Sequence, residues 1–246
     1  MCEECGCNHK NSKKDNKLNS KIIHINKSIT EVNDRIAHET WHYLIDKNIF
    51  AINIMGGPGS GKTSIIEKIS EYIDPGEIIV IEGDCESDVD KLRLEKKGIN
   101  TYQINTQKGC HLNATMIDNS LKLIEKTGKL NNKKYLFIEN VGNLVCPAGV
   151  KIGQHVNIVV SSTTEGNDKP LKYPYIFIDT DVILISKYDL KDIVNFDEQK
   201  YLSYVKKINS RAVIFNTSIN SVVTFQGFVK YIKDKREEII SKLHHH

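Results

Sequence analysis

Gly56-Gly57-Pro58-Gly59-Ser60-Gly61-Lys62-Thr63 fits the pattern G-x-x-x-x-G-K-[ST]. Glycines at these places let backbone N–H groups turn inward around phosphate oxygens, and a helix starting at the end of the run adds its positive N-terminus. In that reading Gly57, Pro58, Gly59, Ser60, Gly61 and Ser64 line the cradle. Lys62 reaches the β- and γ-phosphates, and Thr63 ligates Mg²⁺.

Softer ligands stand elsewhere. Cys110-His111 and Cys146 offer a thiolate, an imidazole and a second thiolate, a set that suits Zn²⁺ or Ni²⁺. Three protein ligands leave a four-coordinate ion one position short, which suits transfer better than permanent structure. The alternative is two unrelated half-buried cysteines. Cys2, Cys5 and Cys7 form C-x-x-C-G-C, which could wrap one soft ion with Gly6 permitting the turn, or could be an idle, oxidisable tail. Cys85 has no partner in sequence and reads as a small buried thiol. His38-Glu39-Thr40-Trp41-His42 matches H-E-x-x-H, but it lies ahead of the first strand with no third ligand nearby, and it reads as part of an amphipathic outer helix.

The elements that must position these groups are legible as apolar runs. AINIM (51–55), IIVIE (78–82), YLFIE (135–139), VNIVVS (156–161), VILIS (182–186) and AVIF (212–215) read as strands. Helices are expected over 29–45, 63–72 and 225–243, with a charged segment at 88–97. Continuous apolar strands alternating with helices imply an α/β fold: a P-loop NTPase with a mostly parallel central sheet covered by helices on both faces. Residues 1–20 are expected to be a flexible metal-binding tail, since 8–20 has almost nothing to bury, and 21–246 a P-loop domain with an N-terminal helical extension. His244–His246 resemble what an expression tag leaves and carry no argument.

Composition narrows the class. With 39% hydrophobic and 26% charged residues the chain can bury a core, which excludes disorder as a whole-chain description. A net charge of +3 is too mild to imply nucleic acid. No apolar run approaches the ~18–20 residues that cross a bilayer, and the N-terminus lacks a secretory h-region, so the expectation is a cytoplasmic protein that does not engage membranes.

GCHL (109–112), ENVGNLVCPA (139–148) and TEGNDKPLKYP (164–174) follow the phosphate loop in order, with MCEECGC in front. Together they closely resemble the HypB family of GTPases, which help insert nickel during [NiFe]-hydrogenase maturation; the urease-type UreG proteins are the nearest relatives to set apart. The resemblance implies a slow GTPase (GTP + H₂O to GDP + phosphate) that acts as a nickel metallochaperone. It also implies GTP-dependent homodimerisation across a Cys110, His111 and Cys146 metal site, and a high-affinity nickel site at Cys2, Cys5 and Cys7. Its partners would be a HypA-like accessory protein and the hydrogenase large-subunit precursor.

Within that resemblance, Glu139 ends an apolar strand where an acid should hold Mg²⁺, and Gly142 stands where a GTPase senses the γ-phosphate through a backbone N–H. Asp84, after IIVIEG, would bind Mg²⁺ or orient the attacking water, its alternative being a helix N-cap. Base recognition departs from N-K-x-D: the tetrapeptide is Ser186-Lys187-Tyr188-Asp189. Lys187 can still cover the base and Asp189 still accept from guanine, but Ser186 lacks the amide that would tie this loop to the phosphate loop. A degenerate base pocket binding ATP weakly is the other reading. A metal carrier with a vestigial phosphate loop is disfavoured by the intact Lys62, Thr63 and Asp84. A kinase is disfavoured by the scarcity of arginine, found only at 35, 93, 211 and 236.

Overall fold

The computed structural model describes residues 14–83, 88–106 and 109–243. In chain order these form α1 (Lys14–Asp46), β1 (Phe50–Gly56), α2 (Lys62–Ile69), β2 (Ile78–Glu82), α3 (Val89–Lys96), β3 (Asn100–Gln103), α4 (Ala114–Lys126), β4 (Tyr135–Glu139), β5 (Val156–Ser162), α5 (Lys169–Lys172), α6 (Pro174–Ile178), β6 (Val182–Ser186), α7 (Glu198–Ile208), β7 (Val213–Asn216) and α8 (Val222–Leu243). The seven strands make one sheet in the order β3-β2-β4-β1-β5-β6-β7, and every pairing is parallel.

Central strands are buried on both faces because helices cover both. Ile52, Ile54, Val80, Phe137 and Val160 pack against Ile65, Ile66 and Ile69 of α2 and Phe225, Phe228 and Ile232 of α8. Ala51, Ile79, Ile81, Leu136 and Ile138 face Leu44 of α1 and Ile117, Leu121 and Ile124 of α4. Met55, Val159, Ile183 and Ile185 meet Ile176 and Phe177 of α6 and Tyr201 and Val205 of α7. Burial of such side chains contributes ~1.5–3 kcal/mol each, which is why unbroken apolar runs suffice to specify these strands.

A polar row crosses this core. Asn140 Nδ2 donates to Asn53 Oδ1 at 3.3 Å, and Asn53 Nδ2 donates to Asn157 Oδ1 at 2.9 Å. Asn53 and Asn140 are each only 1% exposed, so their amides depend on one another for partners.

Residues 14–20, the last of the expected tail, lie within α1. A helix anchored downstream extends backward cheaply, because nucleation has already been met and each added turn needs no core of its own. The polar stretch Asn100–Gln103, not foreseen as a strand, pairs with β2 at the edge of the sheet. Cys2, Cys5, Cys7, Asp84 and Cys85 lie outside the described residues. Among those described, no helix is long and apolar enough to cross a membrane.

Candidate functional site

Parallel strands bring their carboxyl ends to one edge, where open α/β sheets bind ligands. Gly56, Glu82, Glu139, Ser162 and Ser186 all end strands there. Between β1 and α2 the chain turns through Gly59 (φ 70°) and Gly61 (φ 98°), left-handed conformations that side chains disfavour. Lys62 Nζ curls back to within 3.5 Å of the Gly57 carbonyl, and Thr63 Oγ1 donates to Glu139 Oε1 at 2.9 Å. The expected Mg²⁺ ligands Thr63 and Glu139 are thus adjacent, and their hard oxygen donors fit that ion. Gly142 lies against the phosphate loop: a Cβ there would stand 3.3 Å from Pro58 Cα.

Glu82 and Glu139 occupy paired positions on β2 and β4. Burial, reinforced by the Glu139 carboxylate, pushes the Glu82 carboxyl up to about 7, although Gln103 Nε2 donates to its Oε2 at 3.3 Å.

The base-side loop is better tied than its sequence suggests. Ser186 Oγ donates to the Ser60 carbonyl at 2.7 Å, and Lys187 Nζ donates to the Gly59 carbonyl at 2.8 Å. The loss of a link to the phosphate loop, expected from a serine in place of asparagine, is therefore not observed. A hydroxyl close to the carbonyl makes the bond the longer amide was thought necessary for. Asp189 and Lys187 line a cavity of about 370 Å³ with Ser64, Thr217, Ile219 and Asn220. Asn220 Nδ2 donates to Asp189 Oδ2 at 3.4 Å.

Cys110, His111 and Cys146 converge, with their ligand atoms all within 4.8 Å of one another. The Cys110 Sγ and His111 Nδ1 are 3.6 Å apart. The Cys110 thiol beside it, followed by burial, raises the Cys146 thiol above its ordinary value, a conflict that a shared soft cation would relieve. Both halves of this cluster are wired to the nucleotide side. Asn140, one residue past Glu139, accepts from the backbone N–H of Leu112 at 3.2 Å, one residue past His111. Asn143 accepts from the Cys146 N–H at 3.2 Å and bridges to Gly56 at the start of the phosphate loop.

The family model described as CobW/HypB/UreG, nucleotide-binding domain, matches residues 50–216. This chain belongs to the CobW/HypB/UreG family. A HypB of Helicobacter pylori, described as a hydrogenase/urease maturation factor, is 36% identical over 227 residues, which cover 92% of this chain and 93% of that protein. Among solved structures, HypB from Helicobacter pylori in complex with nickel superposes with a TM-score of 0.81 at 36% identity, covering 85% of this chain and 96% of that one. The hydrogenase maturation factor HypB from Archaeoglobus fulgidus does so with a TM-score of 0.77 at 35% identity, covering 84% of this chain and 99% of that one.

In this CobW/HypB/UreG member the structure adds residues that spacing alone did not single out. Asn140 and Asn143 sit inside ENVGNL and carry the wiring. Glu165, in TEGNDKP, accepts from the Ser162 N–H at 3.0 Å and fills the space beside Gly57, where a Cβ would meet its Oε1 at 2.6 Å. Thr217 and Asn220 follow β7, and their only signal is a polar stretch at a carboxyl strand end.

Proposed function

We propose that this protein is a GTP-hydrolysing nickel metallochaperone acting in [NiFe]-hydrogenase maturation. The observation that carries the reading is the junction at Asn140: one side chain separates the Thr63–Glu139 pair at the phosphate loop from the Cys110, His111 and Cys146 cluster. A protein that only carried metal would need no such link, and a housekeeping NTPase would need no thiolate cluster. The naming of the relatives as hydrogenase maturation factors, and the nickel in one of them, supports this choice of process and cargo.

Water would attack the γ-phosphorus, forming one P–O bond as the bond to the β-phosphate oxygen breaks, with the water's proton passing to phosphate or solvent. Lys62 would balance charge on the β- and γ-oxygens and Gly142 would donate its N–H to the γ-phosphate. Thr63, Asp84 and Glu139 would hold Mg²⁺, which supplies charge neutralisation when bound. Lys187 would cover the guanine and Asp189 would accept from its N1–H and amine. With catalysis resting on positioning and charge and no covalent nucleophile invoked, turnover would be slow.

Nickel is cargo in this scheme, with zinc as a competing occupant of the same thiolates. GTP would favour a homodimer across the Cys110, His111 and Cys146 sites, and the acceptors would be a HypA-like accessory protein and the hydrogenase large-subunit precursor. Cys2, Cys5 and Cys7 would hold a tighter nickel site. Hydrolysis of GTP measured with and without Ni²⁺ and Zn²⁺ tests the core of the reading. It fails if Lys62→Ala hydrolyses GTP as the parent does, or if neither metal changes the rate.

A further inference from the structure

We propose that His38 and His42 form a further binding site for a divalent late-transition-metal ion, set on α1 beside the trough that leads to His111, and that the ion lands there before it reaches the thiolate cluster. The two residues are one helical turn apart, and their Nε2 atoms are 3.2 Å from each other. Two imidazole lone pairs cannot share that space, so one nitrogen carries a proton between them. When that proton moves through solvent to Nδ1 of its own ring, both rings stay neutral and each Nε2 offers a lone pair to a metal ion. With ~2.1 Å metal–nitrogen bonds, nitrogens at that separation subtend roughly 100° at the ion, between octahedral and tetrahedral values. Neutral imidazole is a preferred ligand of Ni²⁺, Cu²⁺ and Zn²⁺.

The backbone beneath the pair is already fixed. Asn33 Oδ1 accepts from the Ala114 N–H at 3.0 Å, and Asn33 Nδ2 donates to the Lys151 carbonyl at 2.9 Å, which pins α1 both to α4 and to the loop after Cys146. Trp41 packs edge-on to the His42 ring with centroids 4.8 Å apart, limiting where that ring can turn. Chelation therefore costs little beyond side-chain rotamers, while both rings remain exposed for exchange.

Charge and connectivity favour transit over storage. His38 and His42 line a cavity of about 740 Å³ together with Asp34, Gly149 and Val150. His111 lines a neighbouring cavity of about 450 Å³ that includes those same three residues. The two spaces therefore meet at Asp34, Gly149 and Val150. Asp34 is held by Lys151 at 3.6 Å, and Asp179 adds a second carboxylate to the wall of the larger space. Among the described residues, the sole three-ligand cluster is Cys110, His111 and Cys146. A site of two imidazoles completed by water would bind more weakly than that cluster, as a landing place should.

The test uses the full chain with Cys2, Cys5 and Cys7 changed to serine and His9, His244, His245 and His246 changed to alanine, which removes the other thiol and imidazole ligands at the termini. Equilibrium dialysis with Ni²⁺ should find two equivalents per chain. His38→Gln with His42→Gln should lose one, and Cys110→Ser with Cys146→Ser should keep one; nucleotide binding and helical circular dichroism should be unchanged in the first pair. Loss of no equivalent in the histidine variant overturns the site and leaves an imidazole hydrogen bond only. Ni²⁺–thiolate absorbance at the Cys110 and Cys146 cluster should also develop more slowly in the histidine variant, to the same endpoint. An unchanged rate overturns the landing role. Either failure leaves the proposed GTPase and its thiolate site standing, because neither measurement involves hydrolysis.

Discussion

Ser186 and Ser60, 126 residues apart in sequence, are joined by a 2.7 Å hydrogen bond from the Ser186 hydroxyl to the Ser60 carbonyl. Both are buried, so the base-side loop and the phosphate loop form one framework before any nucleotide arrives. Ser186→Ala should leave that carbonyl unsatisfied at a cost of ~1–3 kcal/mol, weakening GDP binding by roughly 5- to 150-fold. Ser186→Thr should recover most of the loss. Titration of a fluorescent GDP analogue checks both, and equal affinities for alanine and serine would break the link between this bond and binding.

Guanine selection should follow Asp189. In Asp189→Asn an amide donates where a carboxylate accepted, so preference should move from GTP toward xanthosine triphosphate. Competition between the two nucleotides, before and after the substitution, is the measurement. Asn220, which donates to Asp189 at 3.4 Å, should matter less, since it supports the carboxylate and does not replace it.

Asn140→Ala should uncouple nucleotide from metal. It removes the acceptor for the Leu112 N–H and leaves every ligand of the thiolate cluster in place. In the parent, metal affinity at Cys110, His111 and Cys146 should differ between GDP and GTP-analogue states by ~5–150-fold, a coupling of ~1–3 kcal/mol. In the variant that ratio should approach unity while metal still binds. A ratio preserved in the variant would move the coupling to Asn143.

Glu82 predicts a loss of stability at rising pH. Its folded value of about 7 exceeds its ordinary 4.5, so the folded chain holds this proton more tightly than the unfolded one. The stabilisation is complete below 4.5 and is lost as pH climbs through about 7. Glu82→Gln cannot ionise. Its urea midpoint should gain on the parent between about pH 5 and about pH 8, and a constant offset would contradict the assignment.

His155 acts with the opposite sign. Burial holds its imidazole down at about 4, against an ordinary 6.5, while its Nδ1 accepts from the Ala51 N–H at 2.7 Å. That stability is present above 6.5 and is lost as pH falls toward 4. His155→Asn offers an amide oxygen in place of Nδ1 without a titrating group, and should flatten the acid limb of the unfolding profile. Between 4.5 and 6.5 the two residues oppose each other, so only single variants reveal either.

IIVIE, YLFIE and VILIS are strands over the residues expected, because both faces are buried along their apolar letters, and each ends on a polar residue, Glu82, Glu139 or Ser186, at the carboxyl edge. NTYQ gave no such signal. An edge strand needs one neighbour and little core, and β2 supplies the pairing that composition cannot announce. The ligand atoms of Cys110, His111 and Cys146 lie within 4.8 Å of one another, a proximity that their distance in sequence did not announce. The role of Asn140 was hidden because an asparagine after a strand is an ordinary turn residue until the chain it reaches is known. Ser186 misled for a related reason: comparing side-chain lengths says nothing of how near the Ser60 carbonyl lies.

The row of amides from Asn157 through Asn53 to Asn140 bears on assembly of the sheet. β4 and β1 are apolar along most of their lengths and β5 at Val156 and Ile158–Val160, so sliding one past another by two residues would still bury much of the hydrocarbon of the native pairing. Only the observed alignment sets Asn53 opposite Asn157 and leaves Asn140 within reach. Any other alignment strands amides in hydrocarbon at ~1–3 kcal/mol each. These three side chains act as index marks, selecting one alignment from several of nearly equal greasiness. By fixing which strand ends come level, they also decide that Gly56 and Glu139 open onto the same edge of the sheet.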